Sequence, residues 1–174
     1  QEEFFDDWKR FFYKIPIETA KAFALHMSKL CRNRPDYFGR SRSPLHVAIT
    51  NGRSLFFDYI YEKVMDKNPR DYLGRVPLHI ATFKNNLRIC KFIHEKGHPL
   101  VPRSHDGHSP LDVAARKGHF DIFKYLFELV EEKNPRGNRG MMPIHRAAEN
   151  GHFEIFKFIF EKSSVKNPQD DNGW

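Results

Sequence analysis

Three series of residues in this chain of 174 recur at one spacing, and they constrain its fold more than any other feature. Two series are prolines and one is glycine, and every step is 33 residues. The members are Pro69, Pro102, Pro135 and Pro168; Pro44, Pro77, Pro110 and Pro143; and Gly74, Gly107, Gly140 and Gly173. A fixed period of this length is typical of stacked units that bury a continuous core between neighbours. The sequence therefore predicts a repeat array.

Every repeat has the same order of helix signals. It opens with a proline in a short run that ends in alanine: SPLHVA, VPLHIA, SPLDVA and MPIHRA. Proline suits the first helical turn, where its missing N–H is no loss. A glycine or asparagine break follows, then a longer apolar segment and a proline, which is preceded by asparagine in three repeats and by Val101 in the other. The residue before a proline favours an extended conformation. Each unit is predicted to be a short inner helix, a turn, a longer outer helix and an extended loop.

This combination of motif and period resembles the ankyrin-repeat family. The PLH and PIH cores and the phrases GHFDIFKYL and GHFEIFKFI carry the resemblance, together with the loop at 71–74, and it covers residues 35–174. It implies an all-α solenoid of stacked helix-turn-helix units joined by extended β-hairpin-like loops. In two departures, Asp112 replaces the usual histidine and only Gly97 follows an outer helix. We expect the other three outer helices to run about one turn longer, before Asn68, Asn134 and Asn167.

The register divides the chain into six segments. They are an N-terminal helix pair at 1–34, ankyrin repeats at 35–69, 70–102, 103–135 and 136–168, and the start of a fifth repeat at 169–174. The N-terminal pair begins with an amphipathic helix with a heavily aromatic face and does not match the repeat. It is either a degenerate repeat that caps the stack or part of an upstream domain, and the atypical character of terminal repeats favours the cap.

The last residues, KNPQDDNGW, repeat the loop phrase of the earlier units. We therefore expect another unit to follow, so that this chain is a slice of a longer array. Without that unit the apolar face of the helix over 153–160 lacks its neighbour. We expect this helix to fray or to pair with another chain, which would be self-association through the uncapped last repeat.

The sequence offers no candidate catalytic, cofactor-binding or metal-binding residue. His46, His79 and His145 share one repeat position, which a repeated structural need explains, and the family resemblance gives this histidine a bond to backbone of the adjoining loop. No serine lies in a nucleophile elbow, and the glycines are spread along the repeats rather than gathered in a phosphate loop. Cys90 lies in a strongly apolar helix and fits a core thiol.

Two further groups of residues have a structural and a functional interpretation. His105, Asp106 and His108 share a loop but supply fewer ligands than a metal site needs. Aromatic residues also recur at two repeat positions, where inter-repeat core is the simpler interpretation and an aromatic binding strip the alternative. These residues are Phe57, Phe123 and Phe156, and Tyr59, Phe92, Tyr125 and Phe158.

Ankyrin stacks usually meet partners at the loop tips and at the ends of the inner helices. At those positions there are eight basic residues and two acidic ones, Asp106 and Glu149, a difference of +6 against +7 for the whole chain. We therefore predict a non-catalytic protein-interaction module whose partner is an acidic peptide or surface. The predicted partner-binding residues are Arg70, Tyr72, Arg75, Phe83, Lys84, Arg103, His105, His108, Arg116, Lys117, Arg136, Arg139 and Met141.

Alternatives to this function stay open. The arginines would also keep exposed loops soluble or be inherited with the repeat. A nucleic-acid-binding solenoid is disfavoured because no recognition helix or base-stacking motif is present. A targeting region for an enzyme or channel domain outside this chain is a further alternative. Two distant cysteines favour a reducing, intracellular location, in the cytoplasm or the nucleus, and no apolar run is long enough for membrane insertion.

Overall fold

The computed structural model describes residues 43–133, 135–163 and 168–173, together with Thr19. The chain divides into two compact units, Gln1–Tyr72 and Leu73–Trp174. Apart from Thr19, the predicted N-terminal helix pair lies outside the described residues. The repeat boundaries stay predictions, although one helix pair falls inside each of the four predicted repeats.

The described residues hold eight α-helices, which confirms the all-α class. In the first unit α1 is Pro44–Thr50 and α2 is Ser54–Lys63. In the second unit α3 is Pro77–Phe83, α4 is Leu87–Glu95, α5 is Pro110–Lys117, α6 is Phe120–Leu129, α7 is Pro143–Glu149 and α8 is Phe153–Lys162. A 3-10 turn, Asn138–Gly140, lies in the loop before α7. No residue of the described ranges is in a β-strand.

The second unit is three helix pairs packed side by side. Inner helix α3 contacts α5 and α5 contacts α7, while outer helix α4 contacts α6 and α6 contacts α8. The interior between them is apolar, with Phe123 fully buried and the Phe158 ring packed edge-on against Phe123 and Phe127. In the first unit Phe57 is also fully buried. Phe57 and Phe123 are therefore core residues, whereas the other recurring aromatic residues are half-buried: Tyr59, Phe92, Tyr125, Phe156 and Phe158.

The outer helices end earlier than the sequence predicted. Only α2, α6 and α8 exceed α4 in length, and they do so by one residue rather than by a turn. The residue that follows each of them is extended, as Val130 is after α6. Val130 is 5% exposed, so the chain leaves the helix while its side chain still packs into the core. Helix termination therefore precedes the Asn-Pro pairs, and the expectation that those pairs end the helices is wrong.

A lysine side chain caps each of two outer helices. Lys133 Nζ donates to Phe127 O at 2.7 Å and to Glu128 O at 3.2 Å, and lies 5.4 Å from the centre of the Phe127 ring. Lys67 makes the corresponding bond to Tyr61 O in the first unit. The last carbonyls of a helix lack intrahelical donors and carry partial negative charge, so an ammonium there is favourable. The lysine of the KNP phrase is thus a C-cap.

Two histidines tie each turn to the preceding inner helix. His119 Nε2 donates to Phe83 O at 3.3 Å, and His152 Nε2 donates to Arg116 O at 3.0 Å. The His152 ring lies so close to Gly118 that a Cβ there would be 2.5 Å from His152 Nδ1. These bonds cross from one repeat to the next, so both histidines have a structural role.

The last helix pair keeps its full form. Helix α8 is continuous from Phe153 to Lys162, as long as α2 and α6, so the expected fraying is not seen. Its outward face is open, with Phe153 71% exposed and Phe160 41% exposed.

We expect Lys133→Met to lower the free energy of unfolding by about 1 kcal/mol, because the last carbonyls of α6 lose their charged donor. Urea unfolding followed by circular dichroism measures the change. Lys124→Met, on the exposed face of the same helix, is the matched control and should leave stability nearly unchanged. Equal effects of the two substitutions would contradict the cap.

Gly118→Ala should destabilise the protein more than Gly151→Ala. Both glycines have φ near +70°, so each alanine carries a left-handed penalty of about 1 kcal/mol. Only Gly118 would also drive a methyl group into His152, whereas nothing lies within 4 Å of a Cβ at Gly151. In a double-mutant cycle His152→Ala should remove the excess cost at Gly118. An identical loss of stability for both glycine variants would rule out the close contact.

Candidate partner-binding surface

Two of the predicted arginines stabilise the loops that carry them. Arg103 Nη1 donates to Gly107 O at 2.9 Å within its own loop. Arg136 reaches the next loop, where its Nη2 donates to Gln169 O at 2.6 Å and its Nη1 lies 3.6 Å from an Asp171 carboxylate oxygen. Reversal of these charges would therefore disturb the loops as well as any binding surface.

The loops themselves are hairpin-like. Ser104 N donates to His108 O at 3.0 Å in one loop, and Gly137 N donates to Met141 O at 2.8 Å in the next. Adjacent loops are joined where His105 N donates to Leu73 O. This geometry confirms the hairpin-like connections predicted from the sequence.

The other predicted loop residues differ in exposure. Arg70 and Tyr72 are exposed and belong to the first unit, while Arg75 in the second unit is half-buried. His105 and Arg139 are exposed, and Arg139 is in the left-handed region at φ 59°. Met141 and His108 are half-buried. Their assignment to partner binding stays a prediction.

The ends of α3 and α5 bring four predicted residues onto adjacent inner helices, and we call them the inner-helix patch: Phe83, Lys84, Arg116 and Lys117. Phe83 is 41% exposed, and Lys117 Nζ lies 4.7 Å from the centre of its ring. Lys84 and Lys117 are exposed and Arg116 is half-buried. None of these three cations forms an ion pair with another residue in the described part of the second unit. The patch combines uncompensated positive charge with an accessible aromatic ring.

Arg146 was not among the predicted residues; it lies on α7, the inner helix that contacts α5. In the two preceding repeats the same position is held by Ile80 and Val113, each 6% exposed. Arg146 Nη1 is 3.3 Å from a Glu149 carboxylate oxygen, and its buried Nε has no hydrogen-bond partner. The sequence signal that could have identified Arg146 is a charged residue at a repeat position where the two preceding repeats have aliphatic residues.

His108 lies in the electrostatic field of the inner helices. Burial lowers the pKa of its ring, and the positive charges of Arg146 and Arg116 lower that pKa further, while Asp112 and Asp106 act in the opposite direction. Its backbone is fixed, because its N–H donates to Ser104 Oγ at 3.2 Å and its carbonyl accepts from His79 Nε2 at 2.9 Å.

The histidines of the PLH and PIH cores are structural. His79 Nδ1 accepts from Val76 N at 3.2 Å, which leaves the proton on Nε2 for the bond to His108 O. His145 does the same with Met142 N at 3.0 Å and Pro168 O at 2.9 Å. Each ring therefore holds the start of its own helix and the backbone of a following loop.

The described residues contain no metal-binding constellation. No group of three or more His, Cys, Asp or Glu side chains there could hold a metal ion. Cys90 is fully buried, and burial raises the pKa of its thiol to about 12, which confirms a core thiol. None of the helices that the structure describes is both long and apolar enough to cross a bilayer.

A family model for ankyrin repeats, three copies long, matches residues 78–170, which is more than half of the chain. The chain belongs to the ankyrin-repeat family. Ankyrin repeats generally mediate protein–protein interaction, and the family is typically non-catalytic. A search of curated proteins found no match to this chain.

Asp112 is where this ankyrin chain departs most from its own pattern. Its Oδ2 accepts from Ser109 N and Ser109 Oγ, both at 2.7 Å, but its buried Oδ1 has no partner. The bonds of Asp112 are thus local to the start of α5, whereas His79 and His145 also reach a following loop. Burial raises the pKa of the Asp112 carboxyl, and the two Ser109 bonds oppose this.

The raised pKa of Asp112 predicts a pH dependence of stability. The contribution of this carboxyl is fully present below the unfolded pKa of about 3.9 and is lost as pH rises through the higher folded pKa. Relative to Asp112→Asn, which carries no charge, the wild type should therefore become less stable as pH rises from about 4 to about 7. Urea unfolding of both proteins across this range measures the difference, and a difference independent of pH would contradict a raised pKa.

Proposed function

We propose that this chain is a non-catalytic interaction module that binds an acidic protein surface or peptide, with the inner-helix patch at the centre of its binding surface. The observation that carries the proposal is the set of uncompensated cations on α3 and α5, in a family that binds proteins. Opposite charges across an interface steer association and select partners. The patch is also where such a partner would find an apolar contact, the Phe83 ring.

Charge complementarity supports an acidic partner. At the ends of the inner helices of the second unit, Lys84, Arg116 and Lys117 are basic and Glu149 is the acidic residue, and Glu149 is already paired with Arg146. An approaching carboxylate therefore meets positive potential along α3 and α5. The loop residues Arg75, Arg139, His105 and Met141 extend this surface in the proposal.

The proposal assigns the loop arginines a secondary part. Arg103 and Arg136 each donate to a backbone carbonyl, so part of their hydrogen-bonding capacity is used within the stack. Lys84 and Lys117 have exposed ammonium groups at helix ends and carry no such structural bond within the described residues. They are the cleaner residues on which to test binding.

We further propose an intracellular location, in the cytoplasm or the nucleus. The support is the cysteine usage, since Cys90 is a free buried thiol and two cysteines in 174 residues are too few for a disulfide framework.

The test is affinity capture from an extract of the native cells with the double variant Lys84→Glu/Lys117→Glu. The proposal expects loss of the proteins that the wild type captures, because the patch changes from positive to negative. The matched control is Lys124→Glu/Lys162→Glu, which makes the same charge change on the outer helices α6 and α8 and should capture the same proteins as the wild type.

Two outcomes would contradict the proposal. Unchanged capture by the patch variant would show that the partner binds elsewhere. Capture that nuclease treatment abolishes, with log affinity falling steeply with log salt at about 0.9 per phosphate contact, would indicate nucleic acid instead. Thermal unfolding of each variant verifies that loss of capture does not come from loss of folding.

A further inference from the structure

We infer that Arg116 and Arg146 together bind one carboxylate of the acidic partner, and that His108 takes up a proton when this carboxylate binds. The inference rests on the proposed function and adds to it an anchoring site and a pH dependence. Arg116 is on α5 and Arg146 on α7, two inner helices in direct contact. The site therefore spans two neighbouring repeats.

The first observation is unsatisfied hydrogen-bonding capacity. Buried polar groups are normally hydrogen-bonded, yet Arg146 Nε has no partner, and Arg116 has no ion-pair partner in the described residues. The ring nitrogens of the half-buried His108 likewise have no hydrogen bond there. Arg146 Nε, the Arg116 guanidinium and the His108 ring thus lack an acceptor within the described residues, and a carboxylate supplies two acceptor oxygens.

The second observation is the placement of Arg146. The corresponding positions of α3 and α5 hold Ile80 and Val113, so packing of the inner helix does not require a guanidinium here. The one acidic partner of Arg146, Glu149, is itself 58% exposed, so solvent weakens that pair. Positive charge is thus left poorly compensated on α7, the inner helix that contacts α5.

The charged groups around His108 determine the sign of the pH effect. From α5 it is influenced by Arg116 and Asp112, from α7 by Arg146, and from its own loop by Asp106. The two arginines oppose protonation of the ring. A carboxylate bound to both arginines would offset their field, so the imidazolium becomes more favourable in the complex than in the free protein.

Because binding of the carboxylate favours protonation of His108, a lower pH must in turn favour binding of the carboxylate. Carboxylates of glutamate and aspartate stay ionised down to about pH 5, so the ligand itself does not change charge between pH 8 and pH 6. A phosphate monoester would take up a proton near pH 6. Carboxylate probes therefore report the protonation of the protein alone.

The experiment uses octaglutamate labelled with tetramethylrhodamine, a dye whose charge does not change in this range, and the 174-residue protein, with fluorescence anisotropy at about pH 6 and about pH 8 at constant salt. We expect the wild type to bind about threefold or more tightly at the lower pH. His108→Gln should remove this pH dependence. His105→Gln, which removes an exposed histidine of the same loop, is the matched control and should retain it.

Arg146→Val tests the anchor, because it places an aliphatic residue in a register where α3 and α5 already carry one and so should fold. We expect octaglutamate binding to weaken about fivefold at both pH values. Lys124→Gln, on the outer helix α6, should not change it. Circular dichroism and thermal unfolding confirm that each variant is folded.

The outcomes separate this inference from the proposed function. If octaglutamate binds and the patch variant Lys84→Glu/Lys117→Glu abolishes binding, but Arg146→Val and His108→Gln have no effect, the anchor is wrong and the acidic-partner surface stands. If octaglutamate does not bind the wild type at about pH 6, both are wrong. Loss of affinity in Arg146→Val together with loss of pH dependence in His108→Gln supports the anchor.

Discussion

Hydrogen bonds between histidine rings and backbone carbonyls of neighbouring segments hold this structure in register. The rings of His119 and His152 each reach back to the last turn of the preceding inner helix, and His79 and His145 reach a loop that follows. A helix pair of this size cannot bury its apolar face alone, so it depends on its neighbours. Apolar contact alone would allow several alignments. Directional hydrogen bonds at fixed positions select one alignment of each repeat on the next.

This alignment explains how the proposed binding surface combines residues that are distant in sequence. Phe83 and Lys117 are 34 positions apart in the chain, yet their side chains touch because α3 and α5 pack side by side. In the loops the packing of neighbouring repeats also brings distant residues together, but there Arg136 bonds to the next loop and so stabilises the stack. Basic residues in one repeat scaffold thus divide into those that hold the stack and those that we propose to face a partner.

The fold was predictable because its signals repeat, whereas the site was only partly so. Four copies of each proline and glycine signal identify the helix pairs, and the shared position of Phe57 and Phe123 identifies the core. The helix ends were misjudged because Val130 packs into the core in an extended conformation, a tertiary effect that local signals before Pro135 do not reveal. Lysine caps were missed for a similar reason, since Lys133 in the sequence looks like an ordinary solvated residue. Arg146 was overlooked because only loop tips and helix ends were considered.

Asp112 has a consequence for how the second unit deforms. Its carboxylate bonds stay within the start of α5, so at this position the polar tether that His79 and His145 supply to a following loop is replaced by a local one. The α5–α7 junction keeps the His152 bond and the Phe158 packing but loses one restraint on the loop side. On its loop side the α5–α7 junction should therefore be mechanically more compliant than the α3–α5 junction, which keeps the His79 tether.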